Sequence, residues 1–150
     1  MRLKPAFAAV CFLAVAPDLA AAQAVLPSRV VGCYSIELGR WEPTIALGGD
    51  ADFLQPPTRI ELLADVGTSS IERGKWLIRP APGVAASRHR FSYFGAVGRD
   101  SIELVWTSGF SGLRMTVALH SDTLRGHAHA LWDFDRQQQS APAQVIRRPC

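Results

Sequence analysis

Three histidines near the end of the chain have the type and spacing that metal chemistry uses. His127 and His129 lie two apart, and His120 precedes them. Residues two apart on a strand share a face, so the trio is a candidate zinc or copper site. A tight turn at Ser121-Asp122, however, sets His127 opposite Thr116 and His129 opposite Arg114. A cation beside a prospective ligand disfavours a bound metal, and no Asp, Glu or Cys completes the cluster unambiguously. We therefore expect surface histidines on a solvated face, with no metal and no cofactor. If the faces were inverted, the same histidines would point inward toward haem or a polar ligand.

Hydrolytic chemistry finds less support. A nucleophile must be held by a base that is itself oriented by a third group. Gly109-Phe110-Ser111-Gly112 is a hairpin turn, not the strand-to-helix elbow that exposes a catalytic serine. Glu103, Asp133 and Asp135 read as exposed carboxylates, not as a pair inside a cleft. No catalytic residue is assigned, and the chain reads as non-enzymatic.

The cysteines have structural chemistry instead. Cys33 and Cys150 sit in neither CxxC nor CxxH spacing. In an oxidising compartment an even pair reads as one disulfide. Bonded cysteines have Cα atoms about 4.4–6.8 Å apart, so the first strand must lie beside the C-terminus, as when a sheet curls round and closes.

An oxidising compartment follows from the leader. Arg2 and Lys4 precede an apolar run from Ala6 to Ala16, and Pro17-Asp18 end it. The run is too short to span about 30 Å of hydrocarbon, and Ala20-Ala21-Ala22 offers small residues for cleavage. Residues 1–22 are read as a signal peptide that removes Cys11, and residues 23–150 as one domain, secreted or periplasmic, with no membrane span after cleavage. Losing Arg2, Lys4 and Asp18 lowers the 16 basic and 13 acidic residues to 14 and 12. The remaining cations are dispersed, which argues against a nucleic-acid partner. With 48% hydrophobic residues the chain can bury a core, which argues against disorder.

The elements that must position these residues are strands. Period-2 alternation runs from residue 30 onward, with strands expected near 30–39, 58–66, 75–79, 89–97, 101–108, 112–120, 123–132 and 142–148. A short turn at Gly98-Arg99-Asp100 sets Val97 against Ile102, Gly95 against Leu104 and Tyr93 against Trp106. The next two turns set Leu104 against Met115 and Met115 against Ala128. One apolar face results, and Arg90, Ser92, Glu103, Arg114, Arg125, His127 and His129 fall on the other. No helix is available to cover the apolar face, so the sheet must close or double. The expected fold is all-β, an antiparallel up-and-down barrel of about eight strands; a β-sandwich is the alternative. Tyr34, Trp76, Tyr93, Trp106 and Trp132 are expected on the inner face, where they fill a core or line a pocket. Phe53, in the long loop from Trp41 to Pro57, is placed over the barrel mouth.

This architecture resembles the lipocalin, or broader calycin, group of small secreted barrels. Gly32-Cys33-Tyr34 stands where that family has a Gly-x-Trp signature, with Tyr34 in place of tryptophan; Gly39-Arg40-Trp41 matches the letters at the strand's end. The family also packs a late arginine across its tryptophan, a part open here to Arg147 or Arg148. Its middle Thr-Asp-Tyr motif and its C-terminal helix are missing. The resemblance implies binding of a small apolar molecule inside the barrel, through Tyr34, Phe53, Trp76, Tyr93, Trp106 and Trp132. A protein-interaction module with a solid core, inhibitor-like, is the other reading.

Overall fold

The computed structural model describes residues 28–42, 55–120, 122–132 and 139–150, without the side chains of His120, Leu131 and Trp132. The expected leader, Phe53, Asp133 and Asp135 lie outside the described residues.

Eight strands follow in chain order: β1 (Gly32–Leu38), β2 (Arg59–Val66), β3 (Trp76–Pro80), β4 (Phe91–Ala96), β5 (Ser101–Thr107), β6 (Ser111–His120), β7 (Thr123–Trp132) and β8 (Ser140–Arg148). Each pairs antiparallel with the next, and β8 pairs with β1 from Cys33↔Arg148 to Leu38↔Ala143. The sheet is therefore a closed up-and-down barrel, not a sandwich. Closure removes the unpaired edges that an open sheet of apolar strands would expose. The start of β1, the β2–β3, β4–β5 and β6–β7 connections and the end of β8 share one end, here the stapled end. The β1–β2, β3–β4, β5–β6 and β7–β8 connections share the other, here the loop end.

The interior follows from strict alternation. Leu113, Met115 and Val117 of β6 face inward while Arg114 is exposed, and on β8 Ala141, Ala143 and Val145 are buried between exposed Pro142 and Gln144. Two of the expected registers hold, with Leu104↔Met115 and Met115↔Ala128 opposed. Large side chains stand beside small ones around the ring, as close packing requires. Gly126 extends this to the backbone: a Cβ there would collide with the Thr116 carbonyl oxygen. Its absence lets the β6 and β7 backbones approach closely there.

The β4–β5 register differs from expectation by one residue. Ala96 opposes Ile102, Phe94 opposes Leu104 and Ser92 opposes Trp106. The connection spans Val97 to Asp100, closed by Val97 N–H to the Ser101 carbonyl at 3.1 Å. The Asp100 carbonyl is held by Leu119 N–H at 2.8 Å. A one-residue slip exchanges the faces. Tyr93 is therefore on the outer face, Val97 is 55% exposed, and Phe94 is fully buried against Trp76, ring centroids 5.4 Å apart. Phenylalanine suits the interior better, because a buried phenol would need a hydrogen-bond partner there.

Candidate functional site

The stapled end is built to close. Cys33 and Cys150 are disulfide-bonded, with Cα atoms 5.2 Å apart across a sequence separation of 117. Beside them Tyr34 is buried and its hydroxyl donates to the Val30 carbonyl at 2.7 Å. The Arg147 guanidinium lies 5.6 Å from the centre of the Tyr34 ring and donates to the Val31 carbonyl at 2.6 Å. Gly32, at φ +141°, makes room: a Cβ there would stand 3.0 Å from the Arg147 guanidinium. The glycine, the aromatic ring and the late arginine thus form one unit, and Arg147 rather than Arg148 completes it. Arg148 points outward to Ser35 Oγ at 2.9 Å. Burial raises the Tyr34 phenol pKa above its ordinary value; Arg147 opposes the shift and Asp122 adds to it. The cavity left at this end is about 140 Å3, between Arg29, Tyr34, Asp122 and Arg147.

The middle of the barrel is filled by Leu62, Phe94, Leu104, Trp106, Met115 and Val145, all buried. On the outer face the β2–β3 connection folds back over β4 and β5. Ile71 Cδ1 comes within 3.8 Å of where a Gly109 Cβ would stand, and Val105 is buried despite its outward register. Glu103 bridges Lys75 Nζ at 3.4 Å and Arg114 Nε at 3.6 Å. Tyr93 sits in this charged cluster. Burial raises its phenol pKa, Glu103 and Glu72 add to the shift, and Arg114 opposes it. Glu103 is paired with two cations and Glu72 accepts from Ser69 Oγ at 2.7 Å, so the cluster knits the outer face together.

The loop end is open. A cavity of about 260 Å3 is walled by Ile36, Leu38, Gly39, Trp41, Gln55, Pro56 and Thr58. A second depression of about 460 Å3 shares Gln55, Pro56 and Thr58 and runs on to Gly83–Arg88. Small-molecule sites occupy about 300–1,000 Å3 and are mostly apolar with a few polar groups. Trp41 is carried inward beside β8, because Glu42 and Ser140 exchange both backbone hydrogen bonds, at 2.8 and 3.0 Å.

Of the six side chains expected to bind a ligand, the four that are described do not converge on one cavity. Tyr34 belongs to the stapled end, Trp76 packs half-buried against the core, Trp106 fills the interior and Tyr93 lies outside. Phe53 and the side chain of Trp132 lie outside the described part of the molecule. Of the histidines, His127 is exposed opposite Thr116 and His129 is half-buried opposite Arg114. The His120 side chain is not described. Among the described residues, no three His, Cys, Asp or Glu side chains are grouped to hold a metal ion.

Sequence reasoning missed Gln139. Its side chain is 1% exposed, and it precedes β8 on the inward parity of Ala141 and Ala143. A polar residue on an inward position is the informative exception to apolar burial. That signal was readable by extending the β8 alternation two residues upstream.

The fold defines the class: a closed eight-stranded antiparallel barrel, lipocalin-like at that coarse level. No family model, curated protein or solved structure matches this chain. The likeness therefore rests on strand number, order and closure alone. Among the described residues, no helix is long and apolar enough to cross a membrane.

Proposed function

We propose that this protein is an exported barrel that binds a small, mostly apolar molecule at its loop end rather than in its centre. The observation that carries the reading is the 260 Å3 cavity, whose wall combines Ile36, Leu38 and Trp41 with the polar rim of Gln55 and Thr58. Export is supported by the Cys33–Cys150 disulfide, since such bonds persist in oxidising compartments, and by the leader-like residues 1–22. Binding at the mouth suits a barrel whose middle is already filled.

The test is titration with a fluorescent apolar probe, beside native mass spectrometry of the protein purified from its own host. Thr58→Trp adds bulk at an exposed position on the cavity rim. It should weaken a saturable, one-to-one probe signal without lowering the melting temperature. Absence of saturable binding and of any co-purifying molecule would refute the reading. A second reading, an inhibitor-like interaction module, is favoured by the filled interior and by Phe110, 73% exposed at the tip of the β5–β6 turn. Capture of a protein partner, lost in Phe110→Ser, would support it.

A further inference from the structure

The 140 Å3 cavity at the stapled end has a charged mouth and an apolar floor. Arg29, Asp122 and Arg147 line it together with Val30, Tyr34 and Leu124. The three charged residues are exposed, whereas Val30, Tyr34 and Leu124 are buried. A ligand can therefore reach the charges from solvent. Among the described residues, the Asp122 carboxylate makes no ion pair and accepts no hydrogen bond, although the Arg147 backbone N–H donates to the Asp122 carbonyl at 2.8 Å. The Arg147 guanidinium directs one donor at the Val31 carbonyl, and a guanidinium has five. Arg29 meets Asp100 at 4.0 Å, between two exposed side chains, where an ion pair contributes little. Arg147 and Asp122 act on the Tyr34 phenol in opposite directions, so both charges stand near that ring. Two cations and one anion thus face a common cavity without cancelling one another.

We infer that this pocket binds a small α-amino acid as its zwitterion, with the ammonium on Asp122, the carboxylate on Arg29 and Arg147, and a short apolar side chain against Val30 and Leu124. The volume is that of about five waters, which suits such a molecule. A lone carboxylate would be attracted by the two guanidinia but repelled by Asp122. A lone ammonium would be attracted by Asp122 but repelled by both guanidinia. An amino acid carries both charges on one carbon, so a single mouth can pair them while the side chain enters the floor. Charge-assisted hydrogen bonds are the stronger kind, and arginine suits a carboxylate in particular. This site is at the opposite end of the barrel from the loop-end cavity and does not depend on it.

Three probes of one carbon skeleton test the assignment: valine, 3-methylbutanoate, which lacks the ammonium, and 2-methylpropylamine, which lacks the carboxylate. Each is titrated by calorimetry at neutral pH and low salt against the protein with its disulfide intact. Valine should bind at least about tenfold more tightly than either half, the discrimination expected from one charge-assisted hydrogen bond. Asp122→Asn should bring valine down to the level of 3-methylbutanoate without weakening 3-methylbutanoate itself. Arg29→Gln should weaken both carboxylates and leave the amine unweakened. Both substitutions change exposed side chains, so the melting temperatures should stay at the parent's value. Thr58→Trp, at the loop end, should leave valine binding unchanged. Valine binding no tighter than its halves, a preference that survives Asp122→Asn, or no measurable binding of valine would overturn the inference.

Discussion

Replacing Phe94 and its neighbour Tyr93 separately by alanine tests the faces of the barrel directly. Phe94 is fully buried, opposes Leu104 and stacks on Trp76. Truncating a fully buried phenylalanine costs about 3–5 kcal/mol, because both the transfer of the ring and the void it leaves count against folding. The surrounding ring of strands is closed by hydrogen bonds on every side, so it cannot collapse far into the void. We expect Phe94→Ala to lose about 4 kcal/mol. Tyr93 is half-buried on the outer face, and Tyr93→Ala should lose only about 1 kcal/mol, near the centre of the range for single substitutions. In urea, with a slope of about 2 kcal/mol per molar, the midpoints should fall by about 2 M and about 0.5 M respectively. Thiol labelling gives an independent check on protein whose native disulfide stays oxidised. Tyr93→Cys should react in the folded state, whereas Phe94→Cys should stay protected until the barrel opens. A cost for Tyr93→Ala equal to or above that of Phe94→Ala, or the reverse labelling order, would refute the register argument.

Both tyrosines of the chain, Tyr34 and Tyr93, have pKa values raised above the ordinary 10.0. Their neutral forms favour the fold, so this contribution is complete below about pH 10 and is lost as pH rises through the folded values. Ultraviolet titration should show less phenolate at pH 10 in folded than in urea-unfolded protein, where about half is ionised; equal or earlier ionisation in the folded state would count against both environments. The Cys33→Ser/Cys150→Ser double variant frees a loop of 117 residues. On the chain-entropy account it should lose up to about 5 kcal/mol in calorimetry; an unchanged melting temperature would mean that the strand ladder alone holds the ends together. Gly126→Ala drives a methyl group into the Thr116 carbonyl oxygen and should cost about 1–3 kcal/mol by denaturant unfolding. An unaltered midpoint would show that β6 and β7 do not approach that closely.

What was legible in the sequence is what local rules decide. Period-2 alternation located all eight strands to within about two residues at most ends. The turns after Thr107 and His120 admit little choice of length, so the β5–β6–β7 registers followed from turn chemistry. The disulfide was readable from two cysteines, and it required the closure that β1 and β8 make. Arg147 over Tyr34 was readable as one of two choices, because strand parity places one arginine inward and its neighbour outward.

The rest depended on contacts between residues distant in sequence. Whether Tyr93 or Phe94 faces inward turns on a single residue in the 97–100 connection. That choice is made by Trp76, Leu104 and the hydrogen bond from Leu119, none of them a local neighbour. The loop-end cavity joins residues 36–41 and 55–58, which meet only because β2 pairs back along β1. Alternation along one strand determines which side chains share a face. Which face is filled and which end stays open depends on the volumes that eight strands bring together once the ring has closed.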